Sequence, residues 1–149
     1  MAKFFYKMEN ILGIKYKMED QAKTAYGNAR LKLTEEEDKL YKLNQKLYMY
    51  HMKLKSYMEV RLNLQGIKQC REAIDIIKIQ IGQQQIAVKK AKQQLELARV
   101  RLNNAMLERK THEKLKENAF EVFKQEFEAT ERKVIDELVS FKFNNPTVN

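Results

Sequence analysis

The chain has 149 residues with one proline, four glycines and one cysteine; 44% of its residues are hydrophobic, 33% are charged, and its formal net charge is +9. Little turn chemistry combined with an abundance of Lys, Glu, Gln, Leu and Ala excludes most fold classes and points to long helices. Cys70 has no partner for an internal disulfide, which fits a reducing compartment or a chain that needs no staple; no apolar run approaches the roughly 20 residues that span a bilayer, and a cytoplasmic setting is expected.

The opening Met1-Ala2-Lys3-Phe4-Phe5-Tyr6-Lys7 carries charge but no uninterrupted apolar stretch follows it, which makes it a poor export signal. With Leu33 as heptad position a, the a series reads Phe5, Leu12, Glu19, Tyr26, Leu33, Leu40, Leu47, Leu54, Arg61. The d series reads Met8, Lys15, Ala22, Ala29, Glu36, Leu43, Tyr50, Tyr57, Leu64. This spacing predicts a first helix over about residues 3–62 with one narrow seam toward a partner helix. Lys15, Glu19 and Glu36 interrupt the seam, and looser packing is expected around them. Thr34-Glu35-Glu36-Glu37 has the form of a capping box, but the seam continues on both sides and favours an unbroken helix.

The stretch Arg61-Leu62-Asn63-Leu64-Gln65-Gly66-Ile67 separates this repeat from a second in another frame. A glycine just past a helix end adopts the left-handed conformation at little steric cost, and asparagine tolerates it. The tip of a helical hairpin is therefore expected near Asn63–Gly66, with residue i facing approximately residue 130 minus i. The fold class is all-α: one antiparallel coiled-coil hairpin.

A second helix is predicted over about 67–143. Its a series is Ile67, Ile74, Ile81, Val88, Leu95, Leu102, and its d series is Cys70, Ile77, Gln84, Ala91, Ala98, Ala105. The apolar frame fails at Arg109 and His112 and resumes, shifted, through Leu115, Ala119, Phe123 and Phe127, as a local change of winding would cause. Asn144-Asn145-Pro146 stops the helix and leaves a tail at 144–149. In the 130-minus-i register, residues from Glu128 to Phe141 face no partner, yet Val134, Leu138 and Phe141 share one side. A helix left with such a face is a candidate for insertion into another protein.

Charge is unevenly placed. From Lys39 to Ala91 there are eleven Lys or Arg against three Asp or Glu, a net of +8, while the rest carries a net of +1. A concentrated positive field attracts acidic protein, nucleic acid or anionic lipid; it equally serves as a solvated face. The acidic run Glu35-Glu36-Glu37-Asp38 falls opposite Lys89, Lys90 and Lys92 in this register, so cross-helix pairing explains it better than a metal site. Away from the seam, Ile79, Ile86, Val100 and Leu107 align at position f, with Ile76 and Leu97 at c, and Tyr41 and Tyr48 share position b with Met52 one turn beyond Tyr48. Grouped exposed apolar side chains mark partner surfaces.

Motifs for catalysis are missing. There is no glycine-rich phosphate loop, His-Glu-x-x-His, CxxC or nucleophile elbow, and a narrow hairpin lacks a concave pocket. Cys70 at a d position reads as a small core residue. No cofactor or metal is expected, and the chain reads as a non-enzyme.

Three stretches resemble one family: Phe4-Phe5…Ile11-Leu12, Arg109-Lys110…Glu113-Lys114-Leu115 and, most specifically, Glu131-x-Lys133-x-x-Asp136-Glu137. Over nearly its whole length the chain resembles FliJ, the small coiled-coil component of the bacterial flagellar type III export apparatus. That resemblance implies a hairpin like the central stalk of rotary ATPases. It would sit in the hexameric export ATPase, promote its assembly, bridge it to the cytoplasmic domain of the export gate, and bind export chaperones. The resemblance thus implies ATPase contacts by Glu131, Lys133, Val134, Asp136, Glu137, Leu138 and Phe141. Gate or other partner contacts fall to Tyr41, Leu43, Leu47, Tyr48, Ile77, Ile79 and Ile86. The implied location is cytoplasmic, peripheral on the inner face of the membrane at the flagellar base. A generic coiled-coil scaffold or chaperone, and a binder of anionic lipid or nucleic acid using Lys39, Lys42 and Lys46, are the alternatives.

Overall fold

A computed structural model describes residues 3–59 and 63–144. Its regular elements are two helices, α1 (Glu9–Glu59) and α2 (Leu64–Asn144), which form an all-α helical hairpin. The chain divides into two units: Met1–Asp20 with Asn104–Asn149, and Gln21–Asn103.

In the Gln21–Asn103 unit the predicted seam is the one observed. Cys70, Ile74, Ile77, Val88, Ala91 and Ala98 of α2 are buried, and Tyr26, Leu33, Leu40, Leu43, Leu47, Tyr50, Leu54 and Tyr57 of α1 are half-buried. Two helices cannot enclose a large side chain on every side, and among the described residues none is fully buried. The possible capping box at Thr34 does not interrupt α1; its hydroxyl donates to the Arg30 carbonyl at 3.1 Å, one turn back. Glu36 does not loosen the seam. It is buried there, and its partner is another seam residue, Gln84.

The reversal uses a different device from the one expected. Gly66 does not follow a helix end; it lies in the first turn of α2, and no described glycine has a positive φ. Asn63 caps that helix. Its side-chain Oδ1 accepts from the Gly66 N–H at 3.0 Å, and its carbonyl accepts from the Ile67 N–H at 2.9 Å. This is the geometry that makes asparagine a favoured N-cap. Room at 66 is tight: a Cβ there would meet Tyr57 Cε2 and Asn63 Nδ2, each at 3.1 Å, so these side chains would have to give way slightly. The register differs from the expected one as well. Glu36 lies beside Gln84 rather than Gln94, and the cross-helix pairing of the acidic run is not made. Instead Glu36 pairs with Lys32 and Lys39 at 3.0 and 3.4 Å, and Asp38 with Lys42 at 3.0 Å, all within α1. Arg61, expected in the seam, lies outside the described residues.

In the unit of Met1–Asp20 and Asn104–Asn149, α1 begins at Glu9 and not at residue 3. A turn precedes it, in which the Glu9 N–H donates to the Tyr6 carbonyl at 3.2 Å. The turn breaks the helical phase. Phe5 and Met8, assigned to the seam by the repeat, are exposed, and Phe4 packs inward instead. Its ring meets Phe120 edge-on at 5.2 Å and Phe123 at 5.4 Å, while Phe123 stacks on Phe127 at 6.3 Å. Such pairs favour offset or edge-to-face geometry. The expected shift at Arg109 and His112 is not found. Both are half-buried in an unbroken alternation of three and four residues that runs through Ala105, Lys116, Ala119 and Phe123, and Leu115 is exposed. The repeat looked broken because its seam residues there are polar.

Candidate partner-binding surfaces

Polar residues in the seam of the Met1–Asp20 and Asn104–Asn149 unit find each other. The Arg109 guanidinium donates through Nε to Glu19 and through Nη1 to Glu113 at 2.9 Å, and the Tyr16 hydroxyl donates to the other oxygen of Glu113. Lys15 pairs with Glu108 at 2.9 Å and Lys116 with Glu9 at 2.8 Å. The hydrogen bond from Tyr16, then that from Arg109, lowers the Glu113 carboxyl below its usual range. Glu113 in turn raises Tyr16 and Arg109. These ion pairs hold α1 against α2 and are occupied within the chain.

Beyond Phe127, every described residue of α2 is exposed. At 100° per residue, Val134, Leu138 and Phe141 lie within about 60° of one another and continue the side that carries Phe123 and Phe127. Ile135 and Val139, 57% and 60% exposed, form a second apolar row about 100° round the helix from Val134 and Leu138. The expected arm face leaves this row out, although its four-residue spacing is visible in the sequence. Asp136 falls on the opposite side and Lys133 on the flank, while Glu131 and Glu137 border the apolar stripe on either side. The seven residues assigned to the ATPase are thus all accessible on one stretch of helix, but they do not form a single face.

The seven residues assigned to the gate or another partner divide. Tyr41, Tyr48, Ile79 and Ile86 are exposed, Leu43 and Leu47 are half-buried in the seam, and Ile77 is a core residue only 3% exposed. Ile77, Leu43 and Leu47 therefore hold the hairpin together and do not share a surface with the other four. Around the tyrosines and Met52, Met49 enlarges the expected apolar area. Met49 and Met52 join Tyr48 in lining a shallow hollow edged by Lys46 and Lys53, and the Tyr41 hydroxyl accepts from Gln45 at 2.8 Å. Methionine makes such a surface adaptable.

Among the described residues, no three His, Cys, Asp or Glu side chains gather as a metal set would, and no helix is long and apolar enough to cross a membrane. No curated protein sequence matches the chain. Among solved structures, it is similar to the Chlamydia trachomatis protein CT670, described as a YscO homolog. That likeness has a TM-score of 0.65 at 22% identity and covers 95% of this chain and 96% of the other, so the hairpin fold is shared. The profile of the family described as the flagellar FliJ protein matches residues 4–147. With that match over almost its entire length, the chain belongs to the FliJ family, helical proteins related to type III export.

Proposed function

We propose that the chain is a non-enzymatic stalk and adaptor of the flagellar export ATPase. In this reading the carboxyl-terminal arm of α2 inserts in the hexameric ATPase and promotes its assembly and activity. The aromatic surface at Tyr41 and Tyr48, with Ile79 and Ile86 of α2, serves the cytoplasmic domain of the export gate or an export chaperone. The chain then works at the inner face of the membrane through the export complex.

One observation carries the reading. The arm from Glu128 to Asn144 is helical and exposed throughout, yet it prolongs the apolar stripe whose Phe123 packs upstream against Phe4. A helix in water is stabilised mainly by burying such a stripe, so an uncovered one fits a partner cavity. The test adds the full chain, or a chain lacking residues 128–149, to the export ATPase. The full chain should raise ATP hydrolysis and hexamer formation, and the truncated one should do neither. Equal stimulation by both would reject insertion by the arm. Retained chaperone binding without any ATPase effect from the full chain would favour the generic scaffold.

A further inference from the structure

We infer that the outward face of α2 between Ile76 and Val100 is a second coiled-coil seam that takes up an acidic amphipathic helix of a partner protein. The inference deepens the reading of Ile79 and Ile86 as partner contacts and is independent of the ATPase arm.

The observation is a spacing. Ile76, Ile79, Gln83, Ile86, Lys90, Gln93, Leu97 and Val100 follow one another at steps of three and four residues without a break. All eight are exposed; Ile76, Ile79 and Ile86 are 56%, 63% and 58% exposed. The same stretch already supplies the inner seam through Ile77, Val88, Ala91 and Ala98. A hairpin needs one apolar stripe per helix. A second in strict heptad phase presents the knobs and holes that accept another helix, whereas scattered surface residues carry no phase. Polar Gln83, Lys90 and Gln93 interrupt the stripe at its centre, as polar residues within seams do when they select a partner and register.

Charge identifies the occupant. From Ile76 to Arg101 the helix carries Lys78, Lys89, Lys90, Lys92, Arg99 and Arg101 against the single acid Glu96. Glu96 is already engaged by Arg99, whose Nε donates to it at 3.0 Å. Among the described residues the other five cations are in no ion pair. A second copy laid on this face would set these cations against their own kind, and like charges flanking a coiled-coil seam are repulsive. An apolar helix flanked by Glu and Asp satisfies both the stripe and the cations.

The experiment measures fluorescence anisotropy with the full chain and two labelled four-heptad peptides. Both have Ile and Leu at a and d; one has Glu at e and g, the other Lys. The Glu peptide should bind at least about tenfold more tightly. The double variant Ile79→Ser/Ile86→Ser keeps every charge and should weaken that binding about tenfold or more. Val134→Ser/Leu138→Ser on the arm should leave it unchanged. Undiminished binding to the Ile79/Ile86 variant would reduce the effect to non-specific charge attraction and overturn the inference. So would equal binding of the two peptides. A dimer of the chain in sedimentation equilibrium that the Ile79/Ile86 variant dissociates would overturn it in favour of a second copy. Circular dichroism confirms that the exposed substitutions leave the hairpin folded. ATPase stimulation by the same variants reports on the arm separately.

Discussion

Gln84 donates through Nε2 to two acceptors of Glu36, the main-chain carbonyl at 2.9 Å and the carboxylate at 2.6 Å. Both side chains occupy seam positions of opposing helices, so the pair fixes which turn of α1 meets which turn of α2 in the Gln21–Asn103 unit. An apolar seam alone tolerates slippage by a heptad; a matched polar pair does not. Replacing Gln84 by Leu removes this donor and leaves the carboxylate beside an apolar side chain. The thermal midpoint by circular dichroism should fall by several degrees. The double change Glu36→Leu/Gln84→Leu should recover that loss or exceed the native value, since a well-packed apolar pair replaces a desolvated polar one. A double variant as unstable as the sum of its singles would show that the pair does not act as a unit.

The same carboxylate makes stability depend on acid. Hydrogen bonds from Lys32 first, and then from Gln84, hold the Glu36 carboxyl down to about 2 from an ordinary value of 4.5. Its folded pKa is depressed, so its contribution is complete above pH 4.5 and is lost as pH falls toward 2. Thermal midpoints measured across that window should decline less steeply for Glu36→Gln than for the native chain. Parallel curves would mean that other carboxyls, such as Glu113, govern the acid response.

Glycine substitutions separate two uses of the residue. A Cβ at Gly13, Gly27 or Gly82 meets nothing within 4 Å, so each change to Ala should stabilise the chain by about 0.4–1 kcal/mol, chiefly by restricting the unfolded state. At Gly66 the new Cβ presses on Tyr57 and on the capping Asn63, and the gain should vanish or reverse. Asn63→Ala, which deletes the cap, should cost about 0.5–2 kcal/mol. Denaturant titrations read all five. A Gly66→Ala variant as stabilised as the others would refute the close approach.

These positions also show how far the sequence could be read. The hairpin, its seam from Leu12 to Tyr57 and the exposed arm followed from a repeat of apolar residues, because burial is what a repeat encodes. The details of the tip did not. Whether Asn63-x-x-Gly66 ends one helix or starts the next depends on a backbone conformation, and both readings satisfy the same residue preferences. The register depends on the same reversal: Glu36 meets Gln84, ten residues from the expected Gln94, and the expected acid–base pairing is not made. Seam positions filled by Glu19, Glu36, Arg109 and His112 look in the sequence like looseness or a shift of frame. A charged side chain reads as outward until its partner is seen across the interface. The outward apolar residues of α2 were visible, but their accessibility could be judged only once the inner face was assigned.

Arg109 tests whether its charged layer depends on shape or on charge alone. Its guanidinium reaches Glu19 through one nitrogen and Glu113 through another, a fork that lysine lacks. Arg109→Lys should therefore lower the thermal midpoint nearly as much as Arg109→Met, and salt should restore neither. If lysine rescues fully, the layer requires only a positive charge.

The arm should behave as a helix awaiting cover. Its described residues after Phe127 are exposed, and a lone helix of this length is marginal in water. Removing residues 128–149 should leave the thermal midpoint nearly unchanged, whereas Ile77→Ala in the core should cost about 2–5 kcal/mol. Amide hydrogen exchange should be much faster at Arg132–Phe141 than at Ile74–Ala98, because local opening exposes no packed surface there. Adding the ATPase should slow exchange in the arm while leaving Ile74–Ala98 as before. Strong protection of the arm in the isolated chain would mean that its apolar side is already covered, and the proposed insertion would lose its physical basis.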